Sequence, residues 1–300
     1  LGKGLFGRAG YAMMAKATSS GGARPLPRGR AWLCTALFGG IFLVAVLPHL
    51  GVILVAFSSD WYATVIPHNW TLDNFRLALG HDLTVPAIAN SLKFAGAATV
   101  IDLVLGVAIA YVVVRTKLRA RHALDFLAML PLAVPGLVLA FGYIAMSQEG
   151  RALHFLNPIE NPTLLLIVAY SVRRLPYVVR AAAAGFQQTS ETLEEAAQNL
   201  GCPPLKAMVK VTLPLISANL IAGGLLAFAF AMLEVSDSII LAQKQMFYPI
   251  TKAILELFQL LGDGKFLASA LGVWAMAFLG VTIVGMSLLL GKKLGAIFRV

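Results

Sequence analysis

The sequence predicts an all-α membrane protein with six transmembrane helices, and three observations lead to it. Of the 300 residues 59% are hydrophobic and only 13% charged, with a mean hydropathy of +0.80, a balance foreign to a water-soluble globule. Leu, Ala, Val and Gly gather into apolar runs long enough to cross a bilayer, which takes roughly 20 helical residues. The net charge of +10 clusters in particular loops between those runs. That is the distribution of a positive-inside membrane protein and not of a nucleic-acid-binding surface.

Residues 1–31 read as a cytoplasmic basic linker, with Ser19-Ser20-Gly21-Gly22, Pro25-Leu-Pro27 and six Lys/Arg, a flexible cationic composition. Leu1 stands where an initiator Met is expected, which implies a fragment, a processed product or an unusual start. The first thirty residues lack the apolar core of a signal peptide. A transmembrane region follows over 32–291, and 292–300 forms a cytoplasmic tail.

The first span runs from about Trp32 to Phe57, interrupted at Pro48-His49. Residues 58–84 are polar, hold Trp61, Tyr62 and Trp70 as interface anchors, and belong outside. The second span, Pro86 to Val114, ends in Arg115, Lys117, Arg119 and Arg121, which mark its inner end. The third, Phe126 to Gln148, carries Pro131 and Pro135-Gly136 and is expected to kink. In the fourth only residues 163–172 precede Arg173-Arg174, about 15 Å of helix. It therefore starts near Phe155, or is a short span whose arginines snorkel to the inner surface. The fifth runs from about Leu213 to Ala242 and the sixth from Phe266 to Leu290, with a short amphipathic helix between them near Tyr248 to Leu261. Eighteen of the 24 Lys/Arg fall in the internal segments of this layout, five in external loops, and Lys93 within a span. Both termini are thereby placed in the cytoplasm.

Between spans four and five lies a charged stretch that the rest is organised around. Thr192-Leu-Glu-Glu195 has capping-box spacing, and Glu191, Glu194 and Glu195 favour the positive end of a short helix. Leu193, Ala196, Ala197 and Leu200 form an apolar stripe at i, i+3, i+4, i+7. Gly201 is the expected helix stop, and Pro203-Pro204 opens a new element.

Glu195-Ala196-Ala197, Gly201, Val211 and Leu213-Pro214 are seven specified positions over twenty residues, and the pattern resembles the cytoplasmic loop of ATP-binding-cassette (ABC) importer permeases. Val211 stands where that family usually has Ile. The run from Asn90-Ser91-Leu92 to Arg115 is similar to the family's first core helix, and the resemblance covers about residues 85–291. It implies the six-helix type I permease fold, a coupling loop at about 186–212, and docking of the helix containing Thr192, Leu193, Glu194, Glu195, Ala196, Ala197, Leu200 and Gly201 into an ATPase. The partners implied are two ABC ATPase subunits, a second permease half and an external substrate-binding protein, in a bacterial inner membrane. ATP and Mg would be bound by the ATPases. This chain has no Gly-x-x-x-x-Gly-Lys-Ser/Thr loop, so it is expected to hold no cofactor and to be no enzyme.

Within the family, Pro131-Leu-Ala-Val-Pro135-Gly136 and Arg174-Leu-Pro-Tyr-Val-Val-Arg180 resemble the ferric-iron, thiamine and aminoethylphosphonate permeases. Those are often double-length, in keeping with the linker. Ionisable residues inside a membrane mark function by default. Lys93 can snorkel outward, and Asp102 can pair with it or bond within the bundle. Glu234, Ser236, Asp237 and Ser238, with Asn90, are the candidate lining of a substrate pathway, the carboxylates sharing a helix face or anchoring span five to Lys93. Hard oxygen ligands suit a hard cation such as ferric iron. Thiamine, aminoethylphosphonate or a polyamine within the same family, and a secondary transporter or channel outside it, are the competing readings.

Overall fold

The apolar runs fold as helices whose breaks fall at proline, glycine and buried charge. The computed structural model describes residues 26–297. Residues 1–25 of the predicted linker (1–31) and the last three residues of the tail lie outside that range, and the first helix already begins within the linker's last residues, at Arg28. Helix α1 (Arg28–Ala56) passes through Pro48 without the expected interruption. A membrane helix tolerates the lost backbone bond that would break a soluble one. Nearly all of α1 faces outward, with Trp32, Phe38 and Phe42 exposed.

The expected external loop is more structured than its polarity suggests. A small antiparallel pair, β1 (Ser58–Asp60) and β2 (Asn69–Trp70), is followed by α2 (Asp73–Gly80). Asn74 donates to the carbonyls of Ala56 and Ser58 at 3.0 and 2.7 Å, pinning α2 to the end of α1. Helix α3 (Thr84–Arg115) then runs 32 residues without a break.

The third span is broken outright. Helix α4 (Arg121–Met129), extended by a 3₁₀ turn at Leu130–Leu132, meets α5 (Gly136–Met146) at 106°. Pro131 and Pro135 supply no N–H to continue a helix across the gap, and Pro135 becomes the residue before α5. Helix α6 (Thr163–Gln188) corrects the predicted short span. It continues through Pro176 for 26 residues, about 39 Å at 1.5 Å per residue. Arg173 and Arg174 therefore lie midway along a full-length helix and not at the inner surface.

After α7 (Thr192–Asn199), α8 (Pro204–Leu215, with a π turn at Met208–Thr212) bends by 76° into α9 (Ser217–Met232). The predicted fifth span is then interrupted again before α10 (Ser236–Leu241). The expected amphipathic helix is α11 (Ile250–Phe258), and α12 (Gly264–Ile297) ends the described chain. Helices α1, α3 and the Gly264–Gly285 part of α12 are long and apolar enough to cross a membrane, and α4–α5 and α8–α9 qualify as bent pairs. With the arginine-bearing α6, these are the six helical units that the sequence predicts.

Helices α3, α6 and α9 form the centre. Small residues set their spacing: a Cβ on Gly106 would lie 2.7 Å from Val178, and one on Gly223 would lie 2.6 Å from Ala181. Such close approach is how membrane helices gain packing contacts without a hydrophobic drive. Phe94, Leu165, Leu166, Tyr170, Met232 and Leu241 fill the core around it.

Candidate functional site

Two groups of residues stand out, one at the end of the core helices where α3 stops at Arg115 and one at the broken helices within the bundle.

At the Arg115 end, α7 has the predicted length and stop but not the predicted cap. Glu191 precedes the helix, Thr192 is its first residue, and neither side chain caps it; Ser190 Oγ accepts the N–H of Thr192 at 3.3 Å. The Thr192 hydroxyl lies 2.8 Å from Ser190 Oγ, so the reciprocal Thr192–Glu195 bonds do not form. Gly201 ends the helix at φ +86°. Its N–H donates to Gln198 O and that of Cys202 to Ala197 O, at 2.9 and 3.0 Å, in a Schellman-like closure that a Cβ would strain.

The stripe of Leu193, Ala196 and Leu200 is turned outward, with Leu200 90% exposed and Ala197 half-buried. Glu195 is exposed beside it. The buried residue is Glu194, whose Oε1 accepts from Thr212 Oγ1 at 2.6 Å and lies 3.7 Å from Arg115 Nε. Arg115 also donates to Thr189 O at 2.7 Å and to Glu191 Oε1 at 3.2 Å. Arg115, Thr189 and Thr212 were not legible as site residues, because each is a common residue at the end of an apolar run. The one available signal is Glu194, which at i, i+3 lies beside Ala197, the half-buried edge of the stripe. Helix α7 thus leaves apolar side chains exposed while it buries an acid.

Within the bundle, the structure brings Glu234, Ser236, Asp237 and Ser238 together at the α9–α10 break. Glu234, Asp237 and Ser238 are buried. Glu234 Oε1 accepts the N–H of Ser236 at 3.1 Å at the start of α10. Ser238 Oγ donates to Glu234 O at 2.5 Å and lies 2.6 Å from Tyr170 OH. The two carboxylates are not open ligands, and they do not pair with Lys93, which is exposed. Their partners are the arginines of α6. Arg173 Nε lies 3.1 Å from Asp237 Oδ2 and 3.4 Å from Glu234 Oε2, and Arg174 Nη2 bonds Glu234 Oε2. The guanidinium of Arg174 also lies over Phe230, 5.6 Å from its centroid. Burying one such ion costs several kcal/mol, which close pairing offsets. The cluster is therefore a charge-neutral fastener between α6 and the broken helix.

Asn90 stands apart from it. Its amide donates to the carbonyls of Met246 and Tyr248 at 2.9 and 3.2 Å, holding the turn before α11. Asp102 likewise does not meet Lys93. It is fully buried and accepts from Ser171 Oγ at 2.5 Å. Elsewhere a cavity of about 900 Å³ opens between α3, α9 and α12, lined by Leu103, Val107, Leu220, Gly224 and Phe228 among others. Its lining suits hydrocarbon, not an ion.

A six-unit helical bundle with broken inner helices and a short helix set out on its connecting loop defines a membrane permease. The chain belongs to the family described as binding-protein-dependent transport system inner membrane component, which matches residues 102–289. It is 28% identical over 238 residues to a putative ferric transport system permease protein, FbpB 1, of Haemophilus influenzae, covering 78% of this chain and 36% of that one. The chain thus spans about a third of the length of that relative. To the molybdate/tungstate transport system permease protein WtpB of Pyrococcus furiosus it is 26% identical, over 71% of this chain and 82% of that one. The fold is shared with the crystal structure of a bacterial ABC transporter involved in the import of the acidic polysaccharide alginate. The TM-score is 0.64 at 16% identity, over 92% of this chain and 99% of that one.

Proposed function

We propose that this chain is one transmembrane half of an ATP-driven ABC importer, and that α7 is the surface on which an ATPase docks. The observation that carries this reading is the inverted amphipathicity of α7: Leu193, Ala196 and Leu200 face outward while Glu194 is held from behind. Glu195 and the Gly201 stop complete the docking edge. Two ATPase subunits hold ATP and Mg, a second permease half (fused or separate) completes the pathway, and an external substrate-binding protein delivers the cargo. The domain plan is a basic linker over 1–31, the permease over 32–291 and a tail over 292–300. Both ends are cytoplasmic in an inner membrane, because sixteen Lys/Arg remain internal against five external once Arg173 and Arg174 are assigned to the bundle.

Ferric iron is the proposed substrate, supported by similarity to ferric permeases and by the basic linker of the kind found in double-length members. Glu234 and Asp237 do not add to that support, since arginines occupy their oxygens; selection then rests on the binding protein. Reconstitution with the co-purifying ATPase and binding protein tests both levels. ATP-dependent uptake of radio-iron that excess molybdate fails to reduce is expected. Iron uptake that proceeds without ATP would assign the chain to secondary transport, and uptake of molybdate alone would move it to the oxyanion importers.

A further inference from the structure

One guanidinium gathers the inner ends of three helical elements. Arg115 is the last residue of α3, and its side chain is 7% exposed. It donates to Thr189 O, which ends α6, and to Glu191 Oε1, which leads into α7. Its Nε faces Glu194 Oε1 at 3.7 Å. The ring of Phe186 lies 5.8 Å from the guanidinium carbon and meets Tyr111 of α3 edge-on at 5.8 Å. Glu194 extends the connection to Thr212 at 2.6 Å, the last residue of the π turn in α8. Turns of that kind are concentrated where helices deform for function.

We propose that Arg115 is the positioning residue through which displacement of α7 reaches the membrane helices, a role that rests on the importer reading above. An arginine suits the task because its planar fork serves several acceptors at once from one rigid group. A lysine would offer one compact charge and reach fewer of them. With Glu194 bonded to α8 on its other side, α7 cannot shift without carrying the inner ends of α3 and α8 or breaking buried polar contacts. The Thr212–Glu194 bond is buried and the Arg115–Thr189 bond partly so, which leaves little water to replace them, whereas the Arg115–Glu191 pair is open to solvent; the buried bonds persist and the helices move.

The test uses the assembled transporter with its ATPase and binding protein. An environment-sensitive fluorophore is placed at Val104→Cys, an exposed position midway along α3. ATP with vanadate, which traps the closed ATPase, is expected to shift its emission in the otherwise unsubstituted chain. In Arg115→Met the ATPase stays bound through Leu193, Ala196 and Leu200, but the shift shrinks roughly fivefold or more. Arg115→Lys restores only part of it, and the milder Glu194→Gln variant reduces it as well, which keeps the test open if Arg115→Met fails to accumulate. A full shift in Arg115→Met or Glu194→Gln with the ATPase bound would overturn the proposal. So would an α3 fluorophore that never responds to trapping. Failure of the ATPase to co-purify with the unsubstituted chain would remove the importer reading and the proposal with it.

Discussion

Arg174 in the middle of α6 bonds Glu234 at the break between α9 and α10, and Arg173 beside it holds both Glu234 and Asp237. Removing one partner of such a buried set leaves an uncompensated charge, at a cost of about 3 kcal/mol. Glu234→Gln is therefore expected to lower the melting temperature in detergent and to slow uptake. Adding Arg174→Met should recover part of the stability, whereas adding Lys93→Met should recover none. A double-mutant cycle in which Lys93 couples to Glu234 and Arg174 does not would refute this arrangement.

Gly136 opens α5 against the same cluster. A Cβ there would lie 2.6 Å from both Arg173 Nη2 and Ser236 Oγ and 2.7 Å from Ser236 Cβ. The arginine tip can move but the serine Cβ is fixed to α10, so Gly136→Ala should displace α10 and destabilise by about 1–3 kcal/mol. Gly142→Ala, with nothing within 4 Å of the added carbon, serves as the neutral control. Equal melting temperatures for the two variants would show that α5 does not press on α10.

How much of this was legible in the sequence depended on the range of the interaction. Apolar runs and flanking charge report burial in lipid, which is local, so the six units, the helix over Thr192–Asn199 and its Gly201 stop were readable. Proline was ambiguous: Pro48 and Pro176 sit inside helices while Pro131 and Pro135 mark a break, because neighbouring helices decide whether freed carbonyls are satisfied. The partners of Glu234 and Asp237 lie some sixty residues away on α6. Arg173 and Arg174 follow a short apolar run and so read as loop charges, although basic residues inside a span call for acids inside another. The cap at Thr192 had the right spacing, but Ser190 took up its hydroxyl.

The two neighbouring acids of α7 should behave oppositely. Glu194 is buried and bonded to Thr212, so Glu194→Ala leaves a buried hydroxyl unsatisfied and should cost about 1–3 kcal/mol. Glu195 is exposed and makes no capping bond; Glu195→Ala should leave the melting temperature unchanged while weakening ATPase co-purification. At Gly201, φ +86° admits Asn far better than Val. Gly201→Asn should keep coupled ATP hydrolysis and Gly201→Val should lose it. Loss of stability in Glu195→Ala with none in Glu194→Ala would reverse the assignment of the two sides.

The orientation can be checked with single cysteines. In the proposed orientation Asn69, in β2, and Asp263, just before α12, belong to external loops, whereas Arg119, between α3 and α4, lies on the inner side; all three are exposed. An impermeant maleimide applied from outside should label Asn69→Cys and Asp263→Cys and miss Arg119→Cys. Labelling of Arg119→Cys in sealed cells would invert the topology.

The last relationship concerns Asp102 of α3 and Ser171 of α6. Asp102 is fully buried, Oδ1 takes the Ser171 hydroxyl at 2.5 Å, and Oδ2 has no partner among the described residues. The pair lies in the α3–α6 interface, with Asp102 one turn from Gly106 and its close approach to Val178. Deleting one member of a buried hydrogen bond costs more than replacing both, because the survivor keeps its desolvation penalty. Ser171→Ala should therefore destabilise the chain by about 1–3 kcal/mol, leaving the carboxyl group without any bond. Asp102→Asn alone should cost less, since the amide still accepts from Ser171. The double variant Asp102→Asn/Ser171→Ala should be more stable than Ser171→Ala alone, as a neutral amide is easier to bury unbonded than a carboxylate. Melting temperatures of the four proteins decide it. If the double variant is the least stable, Asp102 is held by more than its contact with Ser171.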